Sequence, residues 1–123
     1  MDPRNLRRLL LFLTAEKVVQ HLFVTYAFYI DLGGLRSQVA PDYRILMGAG
    51  FVVFVLFAVS LYGQLLNAAW AIGLVNGLAV FDVGGEFYAQ GSLIIDVTVS
   101  FVVAVVILLT VHLIRREVRP LPR

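Results

Sequence analysis

The chain has 123 residues, of which 60% are hydrophobic and 15% charged, and its formal net charge is +2. Soluble domains are less apolar and more charged, and a domain this short has too much surface for its volume to hide so much apolar area from water. The composition therefore excludes an ordinary soluble domain and indicates one all-α integral membrane domain over residues 1–123.

Four apolar segments follow one another, and each reaches the length of about 20 residues that a bilayer-spanning helix needs. The predicted spans are approximately residues 5–30, 44–63, 68–88 and 93–114. Between the first two lies DLGGLRSQVAPDYR, where Gly33, Gly34 and Pro41 predict a loop. The second and third are joined by a short uncharged turn, with Tyr62 and Trp70 as interfacial aromatic residues on either side.

The basic residues predict the orientation of the bundle. Seven of the ten lie in two terminal clusters, Arg4, Arg7, Arg8 and Arg115, Arg116, Arg119, Arg123. Arginines beside a span mark its cytoplasmic side, so we expect a four-helix bundle with both termini in the cytoplasm. Because each cluster lies next to an apolar segment, the net positive charge does not indicate binding to nucleic acid. We expect a multi-pass protein of a bacterial inner membrane that contacts lipid and forms a homo-oligomer or joins a larger membrane complex.

The first span carries an unusual number of polar side chains. Glu16 and Gln20 are four residues apart, as are Lys17 and His21, so all four share a broad face of one helix. Ionisable groups inside a span are costly and often functional, and this face must turn inward. A proton or cation pathway and a buried structural ion pair explain it equally well. Lys17, the only basic residue deep in a predicted span, most needs a partner.

Acidic residues follow in the third and fourth spans. Asp82 and Glu86 are four residues apart, and Gly84 and Gly85 between them suggest a bend or an unwound turn of the kind that builds ion sites in transporters. Alternatively, Glu86 is a hydrated residue at the outer interface. Asp96 begins the fourth span, either as a further pocket acid or as a carboxylate stabilised by the helix dipole.

The alternating directions of the spans place His21, Asp82, Glu86 and Asp96 in the outer half of the bilayer. Three acids beside one imidazole form a net-negative pocket, which attracts a cation or takes up protons. The spacing matches no metal motif, and the chain has no cysteine for thiolate ligands or clusters. We therefore expect neither a metal nor another cofactor.

Small residues recur every four positions on the third span, at Ala69, Gly73 and Gly77. Such a stripe allows two helices to approach closely. It serves packing inside the chain or a homodimer, and we rank internal packing slightly ahead.

The dipeptide Ala15-Glu16 inside the first apolar helix, together with the chain length and the glycine-containing AAWAIGLVNG, resembles the small multidrug resistance transporters. That resemblance implies a four-helix chain with a membrane-embedded glutamate in its first helix, which is Glu16 here.

Three functions remain open from the residues. The first is a transporter or channel-type subunit that handles protons or cations through the intramembrane acids and the Lys17–His21 pair. The second is a non-catalytic accessory or assembly subunit of a larger membrane complex, and the third is a lipid or small-molecule binder with an acidic pocket in the outer half of the bilayer. An enzyme is the weakest choice, because no nucleophile–base pair is evident.

Overall fold

The structure is a computed structural model that describes residues 2–91 and 98–118. In these ranges it contains four α-helices, which we number α1 (Pro3–Tyr29), α2 (Tyr43–Leu65), α3 (Ala69–Gln90) and α4 (Val99–Val118), and the 3₁₀ helix Leu32–Gln38. The predicted all-α class is confirmed. The segment predicted as a loop contains the 3₁₀ helix, which is kinked where Gly33 and Gly34 adopt φ angles of 61° and 73°.

Three of the α-helices in the described ranges are long and apolar enough to cross a membrane: α1, α2 and Val99–Arg116 of α4. The chain therefore has the helices of a multi-pass membrane protein. The helix α3 has 22 residues but is not among the three, and it contains the polar residues Asn76, Asp82 and Glu86. That the third predicted segment, here α3, spans the membrane stays a prediction, as does the cytoplasmic position of both termini.

The helix ends follow from local capping. The Asp2 carboxylate accepts a hydrogen bond from the Arg4 backbone N–H at 3.0 Å, and Asp42 caps α2 in the same way. Gly91, with φ of 66°, ends α3 in the left-handed conformation that favours glycine. The predicted start of the fourth span, residues 93–97, lies outside the described residues.

The unwound turn suggested at Gly84 and Gly85 does not occur. The helix α3 continues through both residues to Gln90, and neither glycine has a positive φ. Inside a helical bundle a regular helix keeps its backbone N–H and C=O groups paired, and that requirement outweighs the conformational freedom of two glycines.

The four α-helices form a ring in which α1 and α3 each contact both α2 and α4. The helices α1 and α3 therefore face each other across the diagonal of the bundle. All four contribute to one apolar core, comprising Leu6, Leu10, Leu13, Val53, Phe57, Val75, Leu78, Ala79, Ala104, Ile107, Val111 and Ile114. The start of α1, the α2–α3 turn and the end of α4 lie at one end of the bundle, here called the arginine end. The opposite end is the loop end.

The 3₁₀ helix and the residues after it close the loop end. The Arg36 guanidinium donates hydrogen bonds to the carbonyl oxygens of Phe28 and Tyr29, at 2.9 and 2.7 Å. These carbonyls are at the end of α1, where the helix provides no i+4 partner for them, although Phe28 also accepts from the Asp31 backbone N–H at 3.3 Å. The Ala40 backbone N–H donates to the Ala89 carbonyl at 2.9 Å. The connection between α1 and α2 is therefore fastened to the ends of both α1 and α3.

Candidate functional site

A charged network lies at the centre of the bundle, around Lys17 of α1. Lys17 is 0% exposed, and its Nζ lies 2.8 Å from Oδ2 of Asp82 on α3. The same ammonium donates to the carbonyl oxygen and the Oγ of Ser100 on α4, at 2.8 and 2.9 Å. An ammonium group has three donors, so each has an acceptor. The ion pair thus crosses the diagonal of the bundle, and Ser100 joins α4 to it.

His21 is the third member of this network. Its Nε2 lies 2.9 Å from the same Asp82 Oδ2, and its ring stacks on Phe57 with centroids 5.4 Å apart. The His21 side chain is 13% exposed, whereas that of Lys17 is fully buried. Asp82 therefore contacts two basic groups, the fully buried Lys17 ammonium and the partly exposed His21 imidazole, and the imidazole faces a space between the helices.

That space is a cavity of about 800 Å³ at the loop end, here called the loop-end cavity. It lies between α1, α2, α3 and the start of α4, and Leu35 and Val39 of the α1–α2 connection also line it. Much of its wall is apolar, including Phe28, Leu46 and Val53, while its polar lining includes Gln20, His21, Asp82 and Glu86. Small-molecule sites in proteins are typically of this size, mainly apolar with a few polar groups that orient the ligand.

Glu86 lies on α3 one turn from Asp82, nearer the loop end. Its Oε1 accepts hydrogen bonds from Gln90 Nε2 and Thr98 Oγ1, both at 3.2 Å. Glu86 is half-buried and lines the loop-end cavity. It is thus a residue of the helical wall of the cavity and not of a loop.

Glu16 and Gln20 lie on a face of α1 beside the charged network. Oε2 of Glu16 and Oε1 of Gln20 are buried, and neither accepts a hydrogen bond within the described part of the chain. Gln20 lines the loop-end cavity, and Glu16 is one turn nearer the arginine end. Asp96, the remaining residue of the predicted pocket, lies outside the described residues. The binding of an ion by this set stays a prediction.

The small residues predicted for helix packing lie on the outside of the bundle. Ala69, Gly73 and Gly77 are all exposed, and a Cβ added at Gly77 would meet no heavy atom within 4 Å. The internal packing that we ranked first is therefore not what the structure shows. The inner face of α3 is instead formed by Ala71, Val75, Leu78, Ala79 and Asp82, because burying Asp82 against Lys17 turns the glycines outward.

A second buried polar chain was not predicted from the sequence. Gln64 Nε2 donates to the hydroxyls of Thr14 and Ser60, at 2.9 and 3.1 Å, and Ser60 donates to the Ala71 carbonyl at 2.8 Å. The available signal was the spacing of Ser60 and Gln64, four residues apart in an otherwise apolar span. These bonds join α1, α2 and α3 on the side of Lys17 that faces the arginine end.

The chemistry of the site follows from its charges. Lys17 pairs with Asp82, and Glu86 is the other acid among the described residues that line the cavity. Among residues 2–91 and 98–116, whose side chains are described, no group of three or more histidines, aspartates or glutamates is arranged to hold a metal ion. The site therefore offers hydrogen-bonding groups in a largely apolar cavity. No protein-family model, curated protein or solved structure matches this chain.

Proposed function

We propose that this chain is a membrane-embedded binding protein for an amphipathic small molecule. The apolar part of the ligand would occupy the loop-end cavity, and its polar end would meet His21 and Glu86. The observation that carries the proposal is the cavity of about 800 Å³ whose apolar walls meet a small set of polar side chains.

The charged network supports this function in two ways. The ion pair between Lys17 and Asp82 cancels two opposite charges beside the cavity, which reduces the cost of bringing apolar groups next to them. The stacking of His21 on Phe57 fixes the imidazole plane, so the ligand would meet a preorganised hydrogen-bonding group. Preorganisation lowers the entropy lost on binding.

Filling the cavity tests the proposal. Gly85 lines the cavity, and a Cβ there would meet no heavy atom within 4 Å, so we expect Gly85→Leu to fold and to occupy ligand space. With radiolabelled dodecanol as the probe, we expect saturable binding to the wild type and about tenfold weaker binding to Gly85→Leu, as overpacking of a fitted site implies. Equilibrium dialysis in mild detergent measures both affinities.

Gly77→Leu is the matched control, because it makes the same substitution on the outward face of the same helix. It should bind the probe like the wild type. Equal probe binding by Gly85→Leu and the wild type would exclude the cavity as the site. The absence of saturable binding to all three proteins would contradict the proposal.

A second candidate is the handling of protons or cations by a transporter or channel-type subunit. It is favoured by the buried oxygen atoms of Glu16 and Gln20, which accept no hydrogen bond from the described residues. Buried polar atoms without a partner call for an explanation such as an ion or water, and ionisable residues within spans often mark ion pathways.

Proton flux distinguishes the two candidates. If the protein conducts protons, liposomes containing the wild type and a trapped pH-sensitive dye should equilibrate an imposed pH gradient faster than protein-free liposomes. Glu16→Gln should reduce the rate to that of protein-free liposomes, while Asp42→Asn, which removes an exposed carboxylate but keeps a good helix cap, should leave it unchanged. Wild-type liposomes as slow as protein-free ones would rule out proton conduction.

A further inference from the structure

A second, smaller cavity lies at the arginine end of the bundle. It has a volume of about 240 Å³ and lies between the start of α1, the end of α2 and the start of α3. Its polar lining comprises Arg7, Arg8, Gln64 and Asn67, and its apolar lining includes Leu11 and Ile72. We call it the arginine-end cavity.

The charges around this cavity are all of one sign. Among the side chains that the structure describes, those of residues 2–91 and 98–116, the ion pairs are those of Asp82 with Lys17 and His21. Arg7 and Arg8 are therefore without a carboxylate partner there. Both arginines are exposed, and no acidic residue is among those that line the cavity. The cavity therefore carries positive charge that nothing in the described chain neutralises.

The start of α3 adds to this positive character. Its N-cap is Ala68, which lines the cavity and provides no side-chain hydrogen bond to the first turn. A helix N-terminus without a cap presents unsatisfied backbone N–H groups and the positive end of the helix dipole. Together with two arginines, such an end is suited to an anion.

We propose that the arginine-end cavity binds the head group of an anionic phospholipid. Arginine binds phosphate oxygens through paired N–H donors, and Arg7 and Arg8 provide two such groups. The cavity lies at the ends of α1 and α2, two helices that are long and apolar enough to span a membrane. The ends of spanning helices lie at the level of the lipid head groups. Leu11 and Ile72 give the acyl chains an apolar surface beside the phosphate. This inference does not depend on a ligand in the loop-end cavity.

Native mass spectrometry of the detergent-solubilised full chain tests the assignment, with phosphatidylglycerol and phosphatidylcholine of identical acyl chains as the probes. The wild type should bind phosphatidylglycerol about tenfold more tightly, since each arginine near a head group contributes appreciably to the binding of an anionic lipid. The Arg7→Gln/Arg8→Gln variant should lose that preference.

Arg115→Gln/Arg116→Gln is the matched control, because it removes two exposed arginines at the same end of the bundle that do not line the cavity. It should retain the preference for phosphatidylglycerol. An equal loss in both double variants would show diffuse attraction and overturn the site, as would an unchanged preference in Arg7→Gln/Arg8→Gln. Displacement of the lipid by millimolar inorganic phosphate would reassign the cavity to free phosphate and overturn the lipid assignment.

Discussion

Asp82→Asn should lower the free energy of unfolding by about 3–5 kcal/mol, because it leaves the Lys17 ammonium buried without its counter-charge. Lys17 is 0% exposed, and Asp82 is the only carboxylate paired with it in the described part of the chain. The two Ser100 oxygen atoms still accept hydrogen bonds, but they carry no charge. Equilibrium unfolding in mixed micelles, followed by circular dichroism, measures the difference.

The double variant Lys17→Met/Asp82→Asn identifies the cause. It removes both charges and keeps an apolar side chain of similar length at position 17, so it should recover most of the stability that Asp82→Asn loses. Asp42→Asn is the control for the change of carboxylate to amide, since asparagine caps a helix as well as aspartate does. If Asp82→Asn is as stable as the wild type, or if the double variant is no more stable than the single one, the buried pair does not hold the bundle together.

Gly63→Ala should destabilise the α2–α3 hairpin. A Cβ at Gly63 would lie 2.6 Å from the Trp70 ring and 2.8 Å from the Ala71 Cβ. Trp70 is half exposed and could rotate, but Ala71 is fully buried and moves only with the backbone of α3. Overpacking of this kind costs about 1–3 kcal/mol, and the unfolding assay described above measures it.

The control for this prediction is a glycine-to-alanine change that should not lower the free energy of unfolding. Gly77→Ala adds the same methyl group to α3 where no heavy atom lies within 4 Å. Because alanine is favoured over glycine inside a helix by about 0.5–1 kcal/mol, Gly77→Ala should be neutral or stabilising. A Gly63→Ala protein at least as stable as the wild type would show that α2 and α3 are not in close contact at this point.

The helices could be predicted from the sequence because their signals are local. Apolar length, the break at Gly33 and Gly34 and the turn before Trp70 divide the chain into the segments that the structure contains. The alternating directions of the spans also allowed His21 and Asp82 to be assigned to one pocket, and their side chains lie 2.9 Å apart. These inferences need no knowledge of how one helix faces another.

The contacts of the site could not be predicted, because they depend on the rotation of each helix about its axis. Ser100 was visible as a polar residue of the fourth span, but its role as a partner of Lys17 follows only once α4 is packed beside α1. The same rotation decides the position of Gly73 and Gly77. A small-residue stripe fits the inside or the outside of a bundle equally well, and the burial of Asp82 places it outside.

Photolabelling of the wild type tests the central claim, the binding of an amphipathic molecule in the loop-end cavity, most directly. A long-chain alcohol with a diazirine in its tail would be cross-linked to the protein and the adducts mapped by peptide mass spectrometry. We expect adducts at Phe28 and Val53, which are buried and line the cavity, and we expect excess unlabelled alcohol to abolish them. Adducts confined to outward-facing residues such as Phe12 and Val19, and insensitive to competitor, would contradict the claim.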